Sequence, residues 1–211
     1  MTSTTTFAFS AGALCLDFAN TWGNRGDPCA DRLGSYPDLV NWACQGDLID
    51  DRGALRLERA AGKSSRATGR VFDQAVALRE AVYGVFSALA RGDDPDPAAI
   101  DVLNRLLASA LPRLRLAPGG ACCRWQWSGP EDSLDRMLWP VARSAADLLT
   151  SELVGRVREC ASPSCSWLFL DRSRNGRRKW CDMATCGNRA KARRYYRRHR
   201  PGRGVEAEAD G

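Results

Sequence analysis

Residues 160–200 have the sequence CASPSCSWLFLDRSRNGRRKWCDMATCGNRAKARRYYRRHR, which contains two pairs of cysteines. Four residues separate Cys160 from Cys165, fifteen residues follow, and four residues separate Cys181 from Cys186. Two thiolate pairs joined by a hairpin-length segment can converge on one tetrahedral Zn²⁺, and four protein thiolates leave no position open for water or substrate. The spacing therefore predicts one structural zinc ion, although any single cysteine here could instead be an ordinary core residue.

The segments between and after the cysteine pairs carry signals for a hairpin and a helix. Residues 167–170 predict a strand, the Asn-Gly pair at 175–176 predicts a tight turn, and residues 178–180 predict the returning strand. Residues 187–200 predict a helix about 20 Å long. On a helical wheel the arginines and Lys191 occupy one face, which we expect to be wholly cationic. The opposite face, which we expect to pack against the protein, consists of Ala192, Tyr195, Tyr196 and His199.

Basic residues are concentrated in the same part of the chain. Residues 1–170 contain 18 Lys and Arg against 20 Asp and Glu, residues 171–200 contain 12 against 2, and residues 201–211 contain 1 against 3. A cationic block with so few acids indicates a polyanionic partner, although a solvated basic face is the usual meaning of a charge run. The candidate nucleic-acid-binding residues are Arg177, Arg178, Lys179, Asn188, Arg189, Lys191, Arg193, Arg194, Arg197 and Arg198.

Upstream of residue 160 the hydrophobic pattern is mainly helical. Residues 6–22 predict a strand or buried segment, and the residues that flank a Pro-Gly-Gly turn, 114–116 and 122–127, predict a β-hairpin. Helices are predicted at residues 36–48, 66–91, 97–111 and 131–154, the last with a kink at Pro140. The predicted fold class is α+β: a mainly helical N-terminal domain with a small antiparallel sheet, followed by the zinc module and a basic C-terminal helix.

The composition argues against several classes of protein. With 211 residues, of which 44% are hydrophobic, the chain can build one medium domain and a small one. No stretch has the roughly 20 apolar residues that cross a bilayer. Residues 1–10 lack the basic residues of a signal peptide, so we expect a cytoplasmic protein without membrane contact. His199 is the only histidine, and no catalytic triad, glycine-rich phosphate loop or histidine-rich metal site is present, so we do not expect an enzyme.

Several motifs resemble known families. The tetrapeptide CGNR at residues 186–189 is the signature of the CGNR zinc finger family. LDFANT at 16–21 and LREA at 78–81 resemble the ABATE domain, which precedes this finger in bacterial proteins regarded as stress-induced transcription regulators. The resemblance implies a treble-clef-like zinc ribbon that binds DNA, attached to an α+β domain suspected of sensing a small ligand. It divides the chain into an ABATE-like domain, a finger and a flexible tail, at residues 1–155, 156–200 and 201–211.

The charge pattern and the resemblance together predict a DNA-binding transcription regulator whose N-terminal domain senses a small-molecule effector. The alternative is an RNA-binding or protein-docking zinc module without a specific operator, because charge alone does not distinguish DNA from RNA. We expect residues 1–155 to fold without zinc and not to bind DNA. The candidate ligand-binding residues, which could equally cap a turn or pair with an acid, are Asn20, Thr21, Trp22 and Arg79. No pattern predicts the oligomeric state.

Overall fold

The computed structural model describes residues 5–199, and both Arg200 of the predicted helix and the predicted tail at 201–211 lie outside them. The helices of this part are α1 (Leu14–Ala19), α2 (Tyr36–Gln45), α3 (Asp51–Ala61), α4 (Ser65–Arg91), α5 (Pro97–Ala110), α6 (Leu138–Leu149) and α7 (Asn188–His199). The strands are β1 (Leu114–Pro118), β2 (Cys123–Trp127), β3 (Val157–Glu159) and β4 (Leu168–Leu170). Among the described residues, no helix is both long enough and apolar enough to span a membrane.

Helix α4 is the centre of the helical body, which we define as α1 to α6 with the β1–β2 hairpin. Its buried side chains include Leu78, Val82 and Val85 at helical spacing, which confirms the helix predicted at 66–91. The Ser64 hydroxyl caps its N-terminus, and Gly92 ends it with a φ of +83°, a conformation that only glycine adopts without steric cost. Helices α1, α2, α3, α5 and α6 all contact α4, so the mainly helical N-terminal region is confirmed.

Residues 14–19 form α1 instead of the predicted strand. Five of the six residues of α1 are buried, including Leu16 and Phe18. A helix that is buried on nearly all sides gives an unbroken apolar run, and periodicity cannot distinguish such a run from a buried strand. The predicted burial is confirmed, and the predicted strand is wrong.

Two further helices differ from the sequence prediction. Helix α6 begins at Leu138 and not at residue 131, because residues 131–137 form turns. Pro140 lies in the first turn of α6, where its missing N–H has no intrahelical partner, so the predicted kink is wrong. Helix α3 was not predicted: it is amphipathic, but most of its residues are polar and it buries only Gly53 and Leu57.

The strands form two antiparallel hairpins. The first, β1–β2, confirms the hairpin predicted around the Pro-Gly-Gly turn. In the second, Val157 of β3 lies opposite Leu170 of β4. The strand predicted at 178–180 is wrong, because both edges of β4 are already occupied. One edge bonds to β3, and on the other edge the Asn20 amide bonds to Leu168 while the Leu170 N–H donates to the Ala11 carbonyl at 2.7 Å.

Strand β4 joins the helical body to the finger, which we define as residues 156–199. Its side chains alternate, as a strand requires. Leu168 and Leu170 are buried in the main core together with Val157, whereas Phe169 is buried in a second cluster with the cysteines of the predicted zinc site. The predicted boundary after residue 155 therefore lies at the start of a hairpin that belongs to both parts of the molecule.

Candidate metal centre and nucleic-acid interface

The four predicted zinc ligands come together at one point of the finger. The Sγ atoms of Cys160, Cys165, Cys181 and Cys186 all lie within 4.8 Å of one another. The Cys181 sulfur is 3.7 Å from both the Cys165 sulfur and the Cys186 sulfur. Sulfurs at the corners of a tetrahedron around zinc, with bonds of about 2.3 Å, lie about 3.8 Å apart. The arrangement therefore fits one Zn²⁺ held by four cysteines, as predicted.

Without a metal ion, these closely spaced thiols share protons through hydrogen bonds. Hydrogen bonds from the Cys165 and Cys181 thiols lower the pKa of Cys160, and the same two bonds, which hold the protons in place, raise the pKa of Cys165 and Cys181. Four sulfurs this close cannot all ionise unless a cation offsets their repulsion. Zinc binding displaces the thiol protons and supplies that charge. Because all four ligands are protein thiolates, the site is structural.

Each cysteine pair is positioned by backbone hydrogen bonds. The first pair lies in the turn between β3 and β4, where the Cys160 N–H donates to the Trp167 carbonyl at 2.9 Å and the Cys165 N–H donates to the Ser162 carbonyl at 3.0 Å. The second pair is linked to the first because the Ala161 N–H donates to the Lys179 carbonyl at 2.9 Å. A zinc-binding turn on a hairpin, followed by a helix with a ligand at its start, is the order expected of a treble-clef-like finger.

The CGNR tetrapeptide forms the entry to α7. Asp182 caps the single π-type turn Met183–Gly187, and its carboxylate accepts hydrogen bonds from the Thr185 N–H and hydroxyl at 2.7 and 2.8 Å. Gly187 lies against the end of the Met183 side chain, 2.8 Å from where a Cβ atom would be, but Met183 is flexible and 49% exposed, so it could move aside for a larger residue. The Asn188 side chain donates to the Ala184 carbonyl at 3.0 Å and thereby fastens α7 to the zinc-binding turn. Of these residues, Asp182 was missed, although Asp followed by Thr three residues later is a recognisable cap signal.

Most of the predicted nucleic-acid-binding cations are exposed. Helix α7 has no buried residue, and Asn188 at its start is exposed. Within residues 5–199, none of the exposed cations among these candidates forms an ion pair with an acid. They are Arg177, Lys179, Arg189, Lys191, Arg193, Arg194, Arg197 and Arg198. We call these eight residues the basic surface.

Arg178 differs from its neighbours because its guanidinium is engaged inside the finger. It lies over the Phe169 ring, 4.6 Å from the centroid, and donates to the carbonyls of Trp180 and Cys181. The Arg178 N–H also donates to the carboxylate of Asp171, which is fully buried and closes the loop at residues 171–178. The sequence predicted no role for Asp171, although the Asp-x-Ser pattern of a turn could have indicated one.

The predicted packing face of α7 does not pack. Tyr195 is 59% exposed and Tyr196 is 72% exposed. Tyr195 instead stacks on His199, with ring centroids 4.1 Å apart. The helix therefore projects from the zinc site with all its faces accessible.

The four predicted ligand-binding residues are close together, but their polar atoms have partners within the protein. The Asn20 amide donates to the Leu168 carbonyl and accepts from the Leu168 N–H, both at 2.8 Å. The Thr21 hydroxyl donates to the Phe18 carbonyl at 2.8 Å, and the Trp22 indole donates to the Asp27 carbonyl at 3.1 Å. The Arg79 guanidinium forms a bidentate pair with Asp31 at 2.6 and 2.8 Å. We therefore expect structural roles for all four.

Comparison with family models gives two matches in chain order. Residues 12–152 match ABATE, described as "Putative stress-induced transcription regulator", and residues 156–199 match the CGNR zinc finger. A comparison with curated proteins gives no match. The first match covers well over half of the chain, and the second coincides with the four cysteines and α7. The chain therefore belongs to the ABATE family and carries a CGNR zinc finger at its C-terminal end.

Proposed function

We propose that this protein is a DNA-binding transcription regulator, not an enzyme, in which the basic surface holds DNA and the helical body responds to a small ligand. One observation carries the DNA-binding part. Helix α7 has twelve residues and buries none of them, and its cations form no ion pair within the described part of the chain.

A helix of this kind gains almost nothing from tertiary packing. Isolated helices shorter than about 12–15 residues are marginal in water, and like charges along one face destabilise them further. A polyanion removes this repulsion, because phosphates bind the cations and release condensed counterions. Binding to DNA therefore explains why the chain has a basic helix that does not pack on the core of the protein.

The zinc site presents α7 to such a partner. Cys186 lies two residues before the helix, and the Asn188 side chain ties the first turn of the helix to the Ala184 carbonyl. Twelve residues of α-helix extend about 18 Å, which is enough to cross a DNA groove. We propose that Arg189, Lys191, Arg193, Arg194, Arg197 and Arg198 contact phosphates and that Asn188 lies near the base edges. Arg178 is left out of this set because its guanidinium holds the finger together.

Fluorescence anisotropy of labelled DNA and RNA of matched length, titrated with the full chain at several salt concentrations, tests the proposal. If six cations contact phosphates, log affinity for DNA should fall with log salt with a slope of about −5. Clear preference for RNA would favour the alternative of an RNA-binding module. Absence of binding to either nucleic acid at low salt would refute the proposal.

The effector part of the proposal is supported by a cleft between the helical body and the finger. The cleft has a volume of about 440 Å³, within the range of small-molecule sites. Trp125 and Trp127 of the β1–β2 hairpin form an apolar wall, and Arg143 of α6 lies 4.6 Å from the Trp125 ring centroid. From the finger, Leu170 and Arg172 also line it.

This lining favours a small aromatic or branched carboxylate. The tryptophans would pack on its apolar part, and Arg172 would bind the carboxylate together with Arg143, whose guanidinium now pairs with Asp147 of the same lining at 3.2 Å. A ligand in this cleft would touch both the body and the finger, so it could alter DNA affinity through different affinities for two arrangements of these parts.

A thermal-shift screen of the full chain with aromatic carboxylates, followed by DNA titration with each stabilising compound, tests the effector role. The Arg143→Ala variant should lose stabilisation by an active compound, and Arg136→Ala, an arginine of the body outside the cleft, should keep it. If every stabilising compound leaves DNA affinity unchanged, the body is not a sensor of this class.

A further inference from the structure

A second groove lies within the finger itself, between α7 and the zinc-binding turn. It has a volume of about 900 Å³. Ala161 and Pro163 of the zinc-binding turn lie on one side, and Trp180, which packs against the zinc cluster, lines it as well. The α7 side consists of Ala190, Arg193, Arg194, Tyr196, Arg197 and His199.

The groove combines aromatic rings with cations. Trp180, Tyr196 and His199 line it together with three arginines, and no acidic residue of the described chain is part of the lining. Arg193 is linked to the zinc-binding turn, since its guanidinium donates to the Ser162 hydroxyl at 3.3 Å. This composition attracts phosphate and offers flat apolar surfaces beside it.

Binding to the outside of a duplex would not use the faces of the aromatic rings. The cations and a tyrosine hydroxyl can contact phosphates there, whereas the bases of a duplex are stacked on one another and leave no base face for an aromatic ring to stack on. Tyr196 is nevertheless 72% exposed on the groove side of α7. Exposed aromatic rings beside arginines are the usual platform for unpaired bases, which stack on the rings while the cations follow the backbone.

We propose that this groove binds unpaired nucleotides, with bases stacked on Tyr196 and Trp180 and phosphates bound by Arg193, Arg194 and Arg197. The inference rests on the proposed DNA-binding function and specifies the form of DNA that the finger selects. The finger then holds melted or single-stranded DNA more tightly than a closed duplex. The volume of the groove is sufficient for a whole nucleotide, since it lies within the range of sites that enclose drug-sized ligands.

Helix α7 provides a matched pair of tyrosines for the test. Tyr196 lines the groove, and Tyr195, which is 59% exposed on the same helix, stacks on His199 and is not part of the lining. Tyr196→Ala removes the stacking surface, Tyr196→Phe keeps it, and Tyr195→Ala removes an exposed tyrosine at the neighbouring position. Trp180 is a poorer target because its loss could disturb the zinc cluster against which it packs.

The experiment is an anisotropy titration of the zinc-loaded full chain with a thymidine oligonucleotide and with a duplex that has the same number of phosphates per strand. We expect the single strand to bind more tightly than the duplex. Tyr196→Ala should weaken single-strand binding about fivefold to a hundredfold, the range for loss of one stacked base, with little effect on the duplex. Tyr196→Phe and Tyr195→Ala should bind within about threefold of the unaltered protein.

The outcomes separate this inference from the function on which it rests. If the duplex binds more tightly and Tyr196→Ala leaves single-strand affinity unchanged, the groove does not hold unpaired bases, and DNA binding by the basic surface still stands. Equal losses of single-strand affinity for Tyr195→Ala and Tyr196→Ala would also contradict the proposal that bases stack in the groove, because the effect would then not be specific to the tyrosine that lines it. If neither DNA binds, the proposed function fails as well.

Discussion

Asn20 replaces a missing strand partner by means of one side chain. Its amide forms both hydrogen bonds that a neighbouring strand would make with Leu168, each 2.8 Å long, and it is 6% exposed. Because a neutral amide supplies one donor and one acceptor, the pair satisfies both backbone groups of Leu168. From the sequence, Asn20 was a candidate for ligand binding or for capping a turn, and no local pattern shows that its hydrogen-bonding partner lies more than a hundred residues away.

Asn20→Ala should therefore destabilise the protein. Two buried backbone groups of Leu168 would lose their partners, at a cost of about 1–3 kcal/mol for each group. We expect the free energy of unfolding, measured in urea, to fall by about 2–4 kcal/mol. Asn104→Ala, at an exposed position of α5, is the control and should change it by less than about 0.5 kcal/mol. Equal stabilities for the two variants would show that Asn20 does not bridge the body and the finger.

The carboxyl of Asp17 gives the folded protein a pH-dependent stability. Burial raises the pKa of Asp17 to about 6, although the Ala11 N–H donates to the carboxylate at 2.8 Å. Between about pH 4 and pH 6 the Asp17 carboxyl is protonated to a larger extent in the folded chain than in the unfolded chain. This contribution to stability is therefore present below that window and is lost as the pH rises through it.

Asp17→Asn should remove this dependence. At both pH 4 and pH 7, the unfolding free energy of the unaltered protein is subtracted from that of Asp17→Asn. This difference should be about 2–3 kcal/mol more positive at pH 7 than at pH 4, because only the unaltered protein loses stability as Asp17 ionises. Urea unfolding of both proteins across this range measures the shift, and other titrating groups cancel in the difference. Parallel stability curves would mean that Asp17 is not desolvated in the folded protein.

Arg177 and Arg178 are neighbours in sequence with different predicted roles. Arg178 bonds to two carbonyls of the finger, whereas Arg177 is exposed. Arg178→Ala should destabilise the finger by about 2 kcal/mol and speed zinc transfer to a colorimetric chelator. Arg177→Ala should leave zinc transfer unchanged and weaken DNA binding. If Arg177→Ala speeds zinc transfer and Arg178→Ala only weakens DNA binding, then Arg177 holds the finger together and Arg178 contacts DNA.

At the scale of elements, the predictions succeeded for most elements with a clear hydrophobic period or turn signal, missed the polar helix α3, and failed where a tertiary partner decides the state of an element. Helices α2, α4 and α5 and the β1–β2 hairpin have clear periods or turn signals. Strand β4 was also found, but its partner was misassigned, because residues 157–159 have no signal that sets them apart from residues 178–180. Residues 178–180 do not pair with β4 because the hydrogen bonds of Asn20 and Ala11 occupy the edge that β3 leaves open.

The zinc site should control the accessibility of its cysteines. Cys29, Cys122 and Cys123 are exposed, Cys44 is intermediate, and burial raises the pKa of Cys15 to about 12, so its thiol should be unreactive. With zinc bound, brief alkylation should therefore modify mainly the three exposed thiols. After chelation we expect additional modification at Cys160, Cys165, Cys181 and Cys186, located by mass spectrometry of the peptides. Modification of these four before chelation would contradict a zinc site.

At the scale of the whole molecule, the finger and the helical body share one core. Val157, Leu168 and Leu170 of the finger are buried among side chains of the body, and each contributes about 1.5–3 kcal/mol by burial. The sequence suggested a body at 1–155 that folds alone, since its charge and helices are separate from the finger. The shared core could not be predicted, because it arises from three hydrophobic residues within a segment whose cysteines identify it as a finger.

Zinc removal should therefore affect the entire chain. Because both faces of β4 are buried, one on the body and one on the zinc cluster, loss of the metal should loosen the hairpin that completes the main core. We expect the full chain to unfold in a single thermal transition, monitored by circular dichroism at 222 nm, and we expect a chelator to lower the temperature of that transition. Two separate transitions, with the main one unchanged by chelation, would show that the body is an independent domain.

The central claim is that the basic surface of α7, fixed in place by zinc, holds DNA through its phosphates. The most direct measurement is the slope of log affinity for DNA against log salt in the variant that combines Arg194→Ala and Arg198→Ala. Two lost phosphate contacts should reduce the slope by about 1.4–1.8, with zinc content unchanged. A control variant that combines Arg115→Ala and Arg124→Ala, two exposed arginines of the β1–β2 hairpin, should keep the slope of the unaltered protein. An unchanged slope in the α7 variant, or an equal reduction in the control, would contradict the claim.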